Sequence, residues 1–151
     1  MAEPDNLSST RDELTLLLDE LRSFAANRAA GVHRKCIANL YYAAFHAVRA
    51  MLFYHGLDTR SHEGTQRLFA AHFVKPGRMP KAHLRCLATL ESDRLRADYQ
   101  GYHSFDADDV ARALSCVPAL VAAALDYLRA QEPTALATQQ AALQEAMAGL
   151  S

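Results

Sequence analysis

The sequence predicts an all-α fold, an up-and-down antiparallel helical bundle of about five helices plus a C-terminal helix. Apolar residues recur at three- and four-residue steps along almost the whole chain, and no stretch shows the alternation of a strand. Hydrophobic residues make up 50% of the 151-residue chain, enough for a core without metal or disulfide staples. Breaker residues separate the helical stretches by short connections, which is typical of a bundle.

The first two helices are the longest. The first is predicted to begin near Thr10, because Thr10 and Glu13 have the spacing of a capping box, and Gly31 is a plausible break after it. The second runs from about Val32 to His55 and stops at Gly56. It is apolar on two sides, which predicts either the central helix of the bundle or a helix at a dimer interface.

Strong breakers delimit the next two helices. The third spans about Ser61 to Val74, and Lys75-Pro76-Gly77 closes it. The fourth starts at Pro80, where a missing amide hydrogen costs nothing, and continues toward Tyr99. Gly101 is predicted to end or bend it.

The fifth helix is capped by Ser104 or Asp106 and continues to about Leu128, with a predicted kink at Pro118. These elements form the predicted bundle domain, residues 1–131. Residues 132–151 form an Ala/Gln-rich segment whose thin apolar stripe suits either a partner-docking helix or a frayed tail.

Charge and cysteine usage restrict the class of protein. Sixteen Lys and Arg oppose seventeen Asp and Glu, so any RNA contact must come from a local basic cluster. The cysteines at 36, 86 and 116 are widely spaced in apolar helical contexts, and we expect reduced core residues rather than a disulfide framework. With a polar N-terminus and no long uninterrupted apolar run, these features predict a cytoplasmic protein without a membrane span.

Signatures of common cofactor and metal sites are absent from the sequence. It contains no phosphate-binding glycine loop, HExxH or EF-hand pattern, and no Glu precedes a His by three as in di-iron bundles. The seven histidines are scattered, without an i,i+4 pair. We therefore expect neither a metal site nor a cofactor.

The segment 93–103 is the strongest candidate for chemistry. Arg96 and His103 are seven residues apart, which in a helix returns to nearly the same face. A guanidinium can hold a phosphate with two hydrogen bonds while an imidazole moves a proton, as metal-independent RNA cleavage requires. The alternative is a solvated helix end, with Asp98 paired to an arginine and Tyr99 and Tyr102 at the boundary of the core.

Four stretches, in this order along the chain, resemble the prokaryotic HEPN-domain family whose genes often lie beside a minimal nucleotidyltransferase. The resemblance spans roughly Val32 to Leu128. The four stretches are Tyr41-Tyr42-Ala43-Ala44-Phe45-His46-Ala47-Val48-Arg49-Ala50, His62-Glu63-Gly64, Phe73-Val74-Lys75 and Arg94-x-x-Ala97-Asp98-Tyr99.

The resemblance implies a dimeric helical bundle. In many members an Arg followed after four to six residues by His forms a metal-independent endoribonuclease site across the dimer. Arg94 matches that arginine, and Tyr99 then occupies the histidine position, although a phenol is a poor proton shuttle at neutral pH. Arg96 with His103 satisfies the pattern in another register.

Two functions follow from these observations. The first is a toxin–antitoxin component acting on RNA as a homodimer, with a nucleotidyltransferase-like partner. Its predicted catalytic residues are Arg94, Arg96, Tyr99 and His103, with Asp98 and Tyr102 as substrate-binding residues. The second is a non-catalytic module that docks the nucleotidyltransferase or a nucleotide. In the second case the Tyr41–His46 face of the second helix and the C-terminal helix supply the contacts. As a structural element, Tyr41, Tyr42, Phe45 and His46 are expected at a helix–helix interface, and His62 is expected to fix a turn.

Overall fold

A computed structural model describes residues 2–101 and 103–150. Within these residues the structure is all-α, with no strand, which confirms the predicted fold class. A π-helical turn, Ala70–Val74, directly continues α3. The helices are α1 Pro4–Ala29, α2 His33–Tyr54, α3 His62–Phe69, α4 Lys81–Tyr99, α5 Ala107–Leu114, α6 Val117–Gln131 and α7 Ala137–Ala148.

Helix α2 is the centre of the bundle. It packs along α1 and also contacts α3, α4, α5 and α6. Tyr41, Val48 and Leu52 are fully buried, as are most of its apolar residues. This explains why the sequence of α2 is apolar on two sides. The helix ends where Gly56 takes a positive φ of 73°, a conformation that favours glycine.

The predicted start of α1 is wrong. The helix begins six residues earlier than Thr10, at Pro4, and Thr10 lies in its interior. The Thr10 hydroxyl donates to the carbonyls of Asn6, at 2.9 Å, and Ala50, at 3.3 Å, while Glu13 turns toward α2. A capping box and two neighbouring residues of one helix face have the same three-residue spacing. Thr10 and Glu13 both face α2, so their spacing reflects a shared helix face and not a helix start.

The fifth predicted helix is two helices. The chain turns at Ser115 and Cys116, and Pro118 is the second residue of α6, where a proline is tolerated. The predicted kink is therefore a break.

By length and composition alone, Ala107–Gln131 would suit a membrane span. In the structure one face of α6, including Leu120, Val121 and Leu128, is buried in the bundle core.

The expectation of three reduced cysteines is also wrong. Cys86 of α4 and Cys116 at the α5–α6 turn form a disulfide, with their Cα atoms 6.0 Å apart, and Cys36 is buried and free. The packing of α6 against α4 brings together two residues separated by 30 positions, a proximity that their sequence spacing does not reveal.

Helix α7 lies on its own bundle, against α1 and α6. Leu136, Leu143 and Leu150 are buried there. The Gln139 side chain donates to the carbonyl of Arg11 at 3.0 Å, which ties α7 to the exposed side of α1.

Candidate functional site

Arg94 is a buried cation near the end of α4. The residue is only 5% exposed, and its guanidinium carbon lies 5.3 Å from the ring centre of Tyr41 and 5.6 Å from that of Tyr42. Its ion pairs are long, 3.8 Å to Glu91 and 3.5 Å to Asp98. Its buried Nε has no hydrogen-bond partner among the described residues. The guanidinium is thus held by stacking and keeps unused hydrogen-bonding capacity.

His62 approaches the same position from α3. Its Nδ1 lies 2.5 Å from the hydroxyl of the fully buried Tyr41. Burial lowers the pKa of His62 below the ordinary value, Arg94 lowers it further, and Glu91 opposes them. Burial, with a contribution from Glu91, raises the pKa of Tyr41. At neutral pH the phenol is therefore protonated and the imidazole neutral.

Local sequence fixes the place of His62 as the first residue of α3. Ser61 caps the helix by accepting a hydrogen bond from the amide of Gly64 at 2.8 Å. A Cβ atom at Gly64 would lie 2.7 Å from the Ser61 hydroxyl and 2.8 Å from that of Thr59. The His-x-Gly pattern therefore has a steric reason, since only glycine fits beside the cap.

His46 on α2 is bound by a carboxylate from α1. Its Nδ1 lies 2.7 Å from Glu13, which is 5% exposed and also contacts Arg49 at 3.6 Å. The guanidinium of Arg49 lies over two rings of its own helix, 5.2 Å from the centre of Phe45 and 4.7 Å from that of Phe53. Its Nε is buried and has no hydrogen-bond partner within the described chain.

These groups surround two aromatic rings. The imidazoles of His46 and His62 lie 5.5 and 4.7 Å from the ring of Phe45, and 6.2 and 6.1 Å from that of Tyr42. Tyr42 and both histidines are partly exposed. We call this set the arginine–histidine cluster: Glu13, Tyr41, Tyr42, Phe45, His46, Arg49, His62, Glu91, Arg94 and Asp98.

The cluster has the chemistry to receive a nucleic-acid phosphate. Two guanidiniums can donate to phosphate oxygens, two imidazoles can exchange protons, and a partly exposed ring can stack on a base. Among the residues that the structure describes, no group of three or more His, Cys, Asp or Glu is arranged to hold a metal ion.

The end of α4 is a separate region. Arg96 pairs with Asp93 on its own helix, and the ring of His103 packs against Phe105 at 4.6 Å. Because α4 ends at Tyr99, the residues between Arg96 and His103 do not form one continuous helix. No hydrogen bond joins their side chains in the described structure. Tyr99 is 76% exposed.

Arg34 from the start of α2 holds this end of α4 in place. Its guanidinium donates to the carbonyls of Ala97, at 2.5 Å, and of Arg96 and Gln100, both at 3.4 Å. It also donates to the carbonyl of His103. A cation at a helix C-terminus satisfies the last carbonyls and interacts favourably with the helix dipole.

The structure thus places the residues expected from the sequence in two separate regions. It brings Arg94 and Asp98 together with the expected interface residues Tyr41, Tyr42, Phe45 and His46. It places Arg96, Tyr99 and His103 at the end of α4. Tyr102 lies outside the described residues.

Four members of the cluster, Glu13, Arg49, His62 and Glu91, were not expected at a site. Glu91 precedes Arg94 by three residues on α4 and therefore shares its helix face. A signal existed for Arg49, which follows Phe45 by four residues and His46 by three, and therefore shares their helix face. His62 stood in a motif but was expected only to fix a turn. Glu13 carried no signal, because its role depends on how α1 lies against α2.

Comparison with known proteins identifies the family. A HEPN domain model matches residues 18–127, and similar proteins include two UPF0332 proteins. The one from Pyrococcus horikoshii is 36% identical over 76 residues, 50% of this chain and 54% of that protein. The one from Gloeobacter violaceus is 36% identical over 78 residues, 52% of this chain and 62% of that protein.

A third similar protein, from Methanocaldococcus jannaschii, is named "Putative toxin". It is 31% identical over 68 residues, 45% of this chain and 51% of that protein. The chain thus spans about half the length of the curated relatives it matches. Since the HEPN domain model covers most of the helical bundle, from α1 to α6, this chain belongs to the HEPN domain family.

Proposed function

We propose that this HEPN chain is the RNA-cleaving component of a toxin–antitoxin pair and acts without a metal ion. The observation that carries the proposal is Arg94. It occupies the arginine position of the HEPN pattern, is buried between tyrosine rings, and has long ion pairs and an unpartnered Nε. Such a guanidinium can bind a phosphate by exchanging weak contacts for charge-assisted hydrogen bonds. The similar protein named "Putative toxin" supports the toxin role.

In the proposed mechanism Arg94 holds the scissile phosphate, and the 2′-hydroxyl of the RNA is the attacking group, so no metal is needed. In a second arrangement Arg96 holds the phosphate and His103 acts as acid or base. We further propose a homodimer, a cytoplasmic location where RNA is accessible, and a nucleotidyltransferase-like protein as the cognate partner. Asp98 and Tyr102 would then contact the substrate.

The test is cleavage of a mixed RNA substrate by purified protein in EDTA, with Arg94→Ala, Arg96→Ala and His103→Ala beside the wild type. Arg129→Ala is the matched control, because Arg129 lies on α6 and forms an ion pair with Asp126 at the surface of the same helix. We expect Arg94→Ala to lose activity and Arg129→Ala to retain it. Loss in Arg96→Ala and His103→Ala alone would assign the second arrangement.

A non-catalytic binding module is the second candidate function. It is favoured by the exposed phenol of Tyr99 at the histidine position and by the carboxylates of Glu91 and Asp98, which offset the charge of Arg94. A folded, dimeric wild-type protein that cleaves no RNA but binds a nucleotidyltransferase encoded by a neighbouring gene would establish this function instead.

A further inference from the structure

Two histidines reach the surroundings of Arg94 from helices other than α4. His46 comes from α2 and His62 from α3, and both lie against Phe45 and Tyr42. We propose that His46 and His62 flank the RNA phosphate bound by Arg49 and Arg94, and that His46 accepts the proton of the 2′-hydroxyl. This inference rests on the proposed RNA-directed function and names further residues for it.

The hydrogen bonds hold the two imidazoles in opposite tautomers. An ionised carboxylate only accepts, so the Nδ1 of His46 donates to Glu13, and in the neutral imidazole the lone pair then lies on Nε2. Tyr41 keeps its proton because its pKa is raised, so its hydroxyl donates to the Nδ1 of His62. The Nε2 of His62 consequently carries hydrogen and is a donor. One histidine is prepared to accept a proton and the other to donate a hydrogen bond to phosphate.

The charges that face these histidines come from three helices. The cations are Arg49 of α2 and Arg94 of α4. The anions are Glu13 of α1, with Glu91 and Asp98 of α4. Each guanidinium has a buried Nε without a partner among the described residues, so protein groups do not saturate the donors of either arginine. Arg94, which is 5% exposed and has an Nε that no described group satisfies, is the independent observation that points to an anionic ligand.

The proposed step is transphosphorylation within the RNA. The 2′-oxygen forms a bond to phosphorus, its proton moves to the Nε2 of His46, and the bond from phosphorus to the 5′-oxygen breaks. The leaving oxygen takes a proton from water, and His46 returns its proton to solvent. The products are a 2′,3′-cyclic phosphate and a 5′-hydroxyl. Arg49, Arg94 and the Nε2 hydrogen of His62 would stabilise the charge on the phosphate oxygens.

NMR of the histidine side chains tests this arrangement in the wild-type protein. Long-range ¹H–¹⁵N spectra should report a protonated Nδ1 for His46 and a protonated Nε2 for His62. Titration with uridine 3′-monophosphate should shift the Cε1–H signals of both histidines saturably and leave that of His83 unchanged. Either the opposite tautomers or a titration that moves only His103 would overturn the proposal.

Variants separate this inference from the proposed function. In the EDTA assay His46→Gln should reduce cleavage by about 100-fold or more, the range of general base catalysis, while His83→Gln should not. Glu13 is a positioning residue for His46, so Glu13→Ala should mix the two tautomers of His46. Wild-type cleavage that survives in His46→Gln and His62→Gln would overturn the inference and leave the proposed function standing. Nucleotide-dependent shifts of both histidines without any cleavage would retain the phosphate site and reject the nuclease.

Discussion

The Nδ1 atom of His46 lies 2.7 Å from the carboxylate of Glu13, across the contact between α1 and α2. Glu13 also faces Arg49, at 3.6 Å. A buried carboxylate with two partners should contribute to stability, because its removal leaves Arg49 without a counter-charge and the Nδ1 hydrogen of His46 without an acceptor. We expect Glu13→Ala to lower the free energy of unfolding by about 3 kcal/mol, measured by urea denaturation.

The matched control is Asp126→Ala, which removes an acidic partner from the exposed Asp126–Arg129 pair on α6. Exposed pairs of this kind contribute about 0–1 kcal/mol, since water already solvates both charges. Equal losses in Glu13→Ala and Asp126→Ala would show that the Glu13 contacts have no special energetic role.

The pH dependence of stability should follow three histidines whose pKa values are lowered in the folded protein, His55, His62 and His83. Burial lowers the pKa of His55, His62 and His83 from 6.5, and Arg78 and Arg94 lower those of His55 and His62 further. The unfolded chain then binds protons at a higher pH than the folded chain does. Stability is consequently complete above about pH 6.5 and is lost as the pH falls through the lower pKa values of the folded state.

Thermal unfolding at a series of pH values from 7.5 down to 5 checks this expectation. The melting temperature should fall on acidification, and His62→Gln should make that fall smaller than in the wild type. His33→Gln, at the partly exposed start of α2, should leave the slope unchanged. A melting temperature that is flat or rises toward pH 5 would contradict the assigned direction.

Local signals made α2 and the end of the third helix predictable. The apolar pattern of α2 and the stop at Gly56 are encoded within a few residues, and the breakers Lys75-Pro76-Gly77 likewise stand next to the helix they end. The fold class required no knowledge of how the helices meet.

The arginine–histidine cluster could not be predicted in this way, because its members come from different helices. The partner of His46 is 33 residues away on α1, and Tyr41 meets His62 across 21 residues. Neither contact follows from helical periodicity, which relates residues of one helix to each other and not residues of different helices. The spacing of Arg96 and His103 would place both residues on one helix face only if the helix continued past His103. Because α4 ends at Tyr99, the spacing does not bring them together.

A count of reactive thiols should reveal the disulfide between Cys86 and Cys116. The chain has three cysteines, so the denatured, unreduced protein should expose one reactive thiol, that of Cys36, and the reduced protein three. The bond closes a loop of 30 residues, for which loop-closure entropy gives a stabilisation of about 3.5 kcal/mol. Dithiothreitol should therefore lower the melting temperature.

Cys116→Ser should melt below the unreduced wild type and should no longer respond to dithiothreitol. Cys36→Ser keeps the bonded pair and should retain the response. Three reactive thiols in protein purified without reductant would mean that the two sulfurs are not bonded.

Arg34 should control the order of the last turn of α4, because its guanidinium donates to the carbonyls of Arg96, Ala97, Gln100 and His103. Hydrogen bonds to a charged group contribute about 1.5–3 kcal/mol, so Arg34→Ala should lower the free energy of unfolding by about 2 kcal/mol. Amide hydrogen exchange should accelerate at residues 97–101, which lose their cap, while the interior of α4 near Leu90 should be protected as before. Lys35→Ala removes the neighbouring exposed cation and is the control. If exchange at 97–101 is unchanged in Arg34→Ala, the turn is held by other contacts, and the geometry of Arg96 and His103 does not depend on α2.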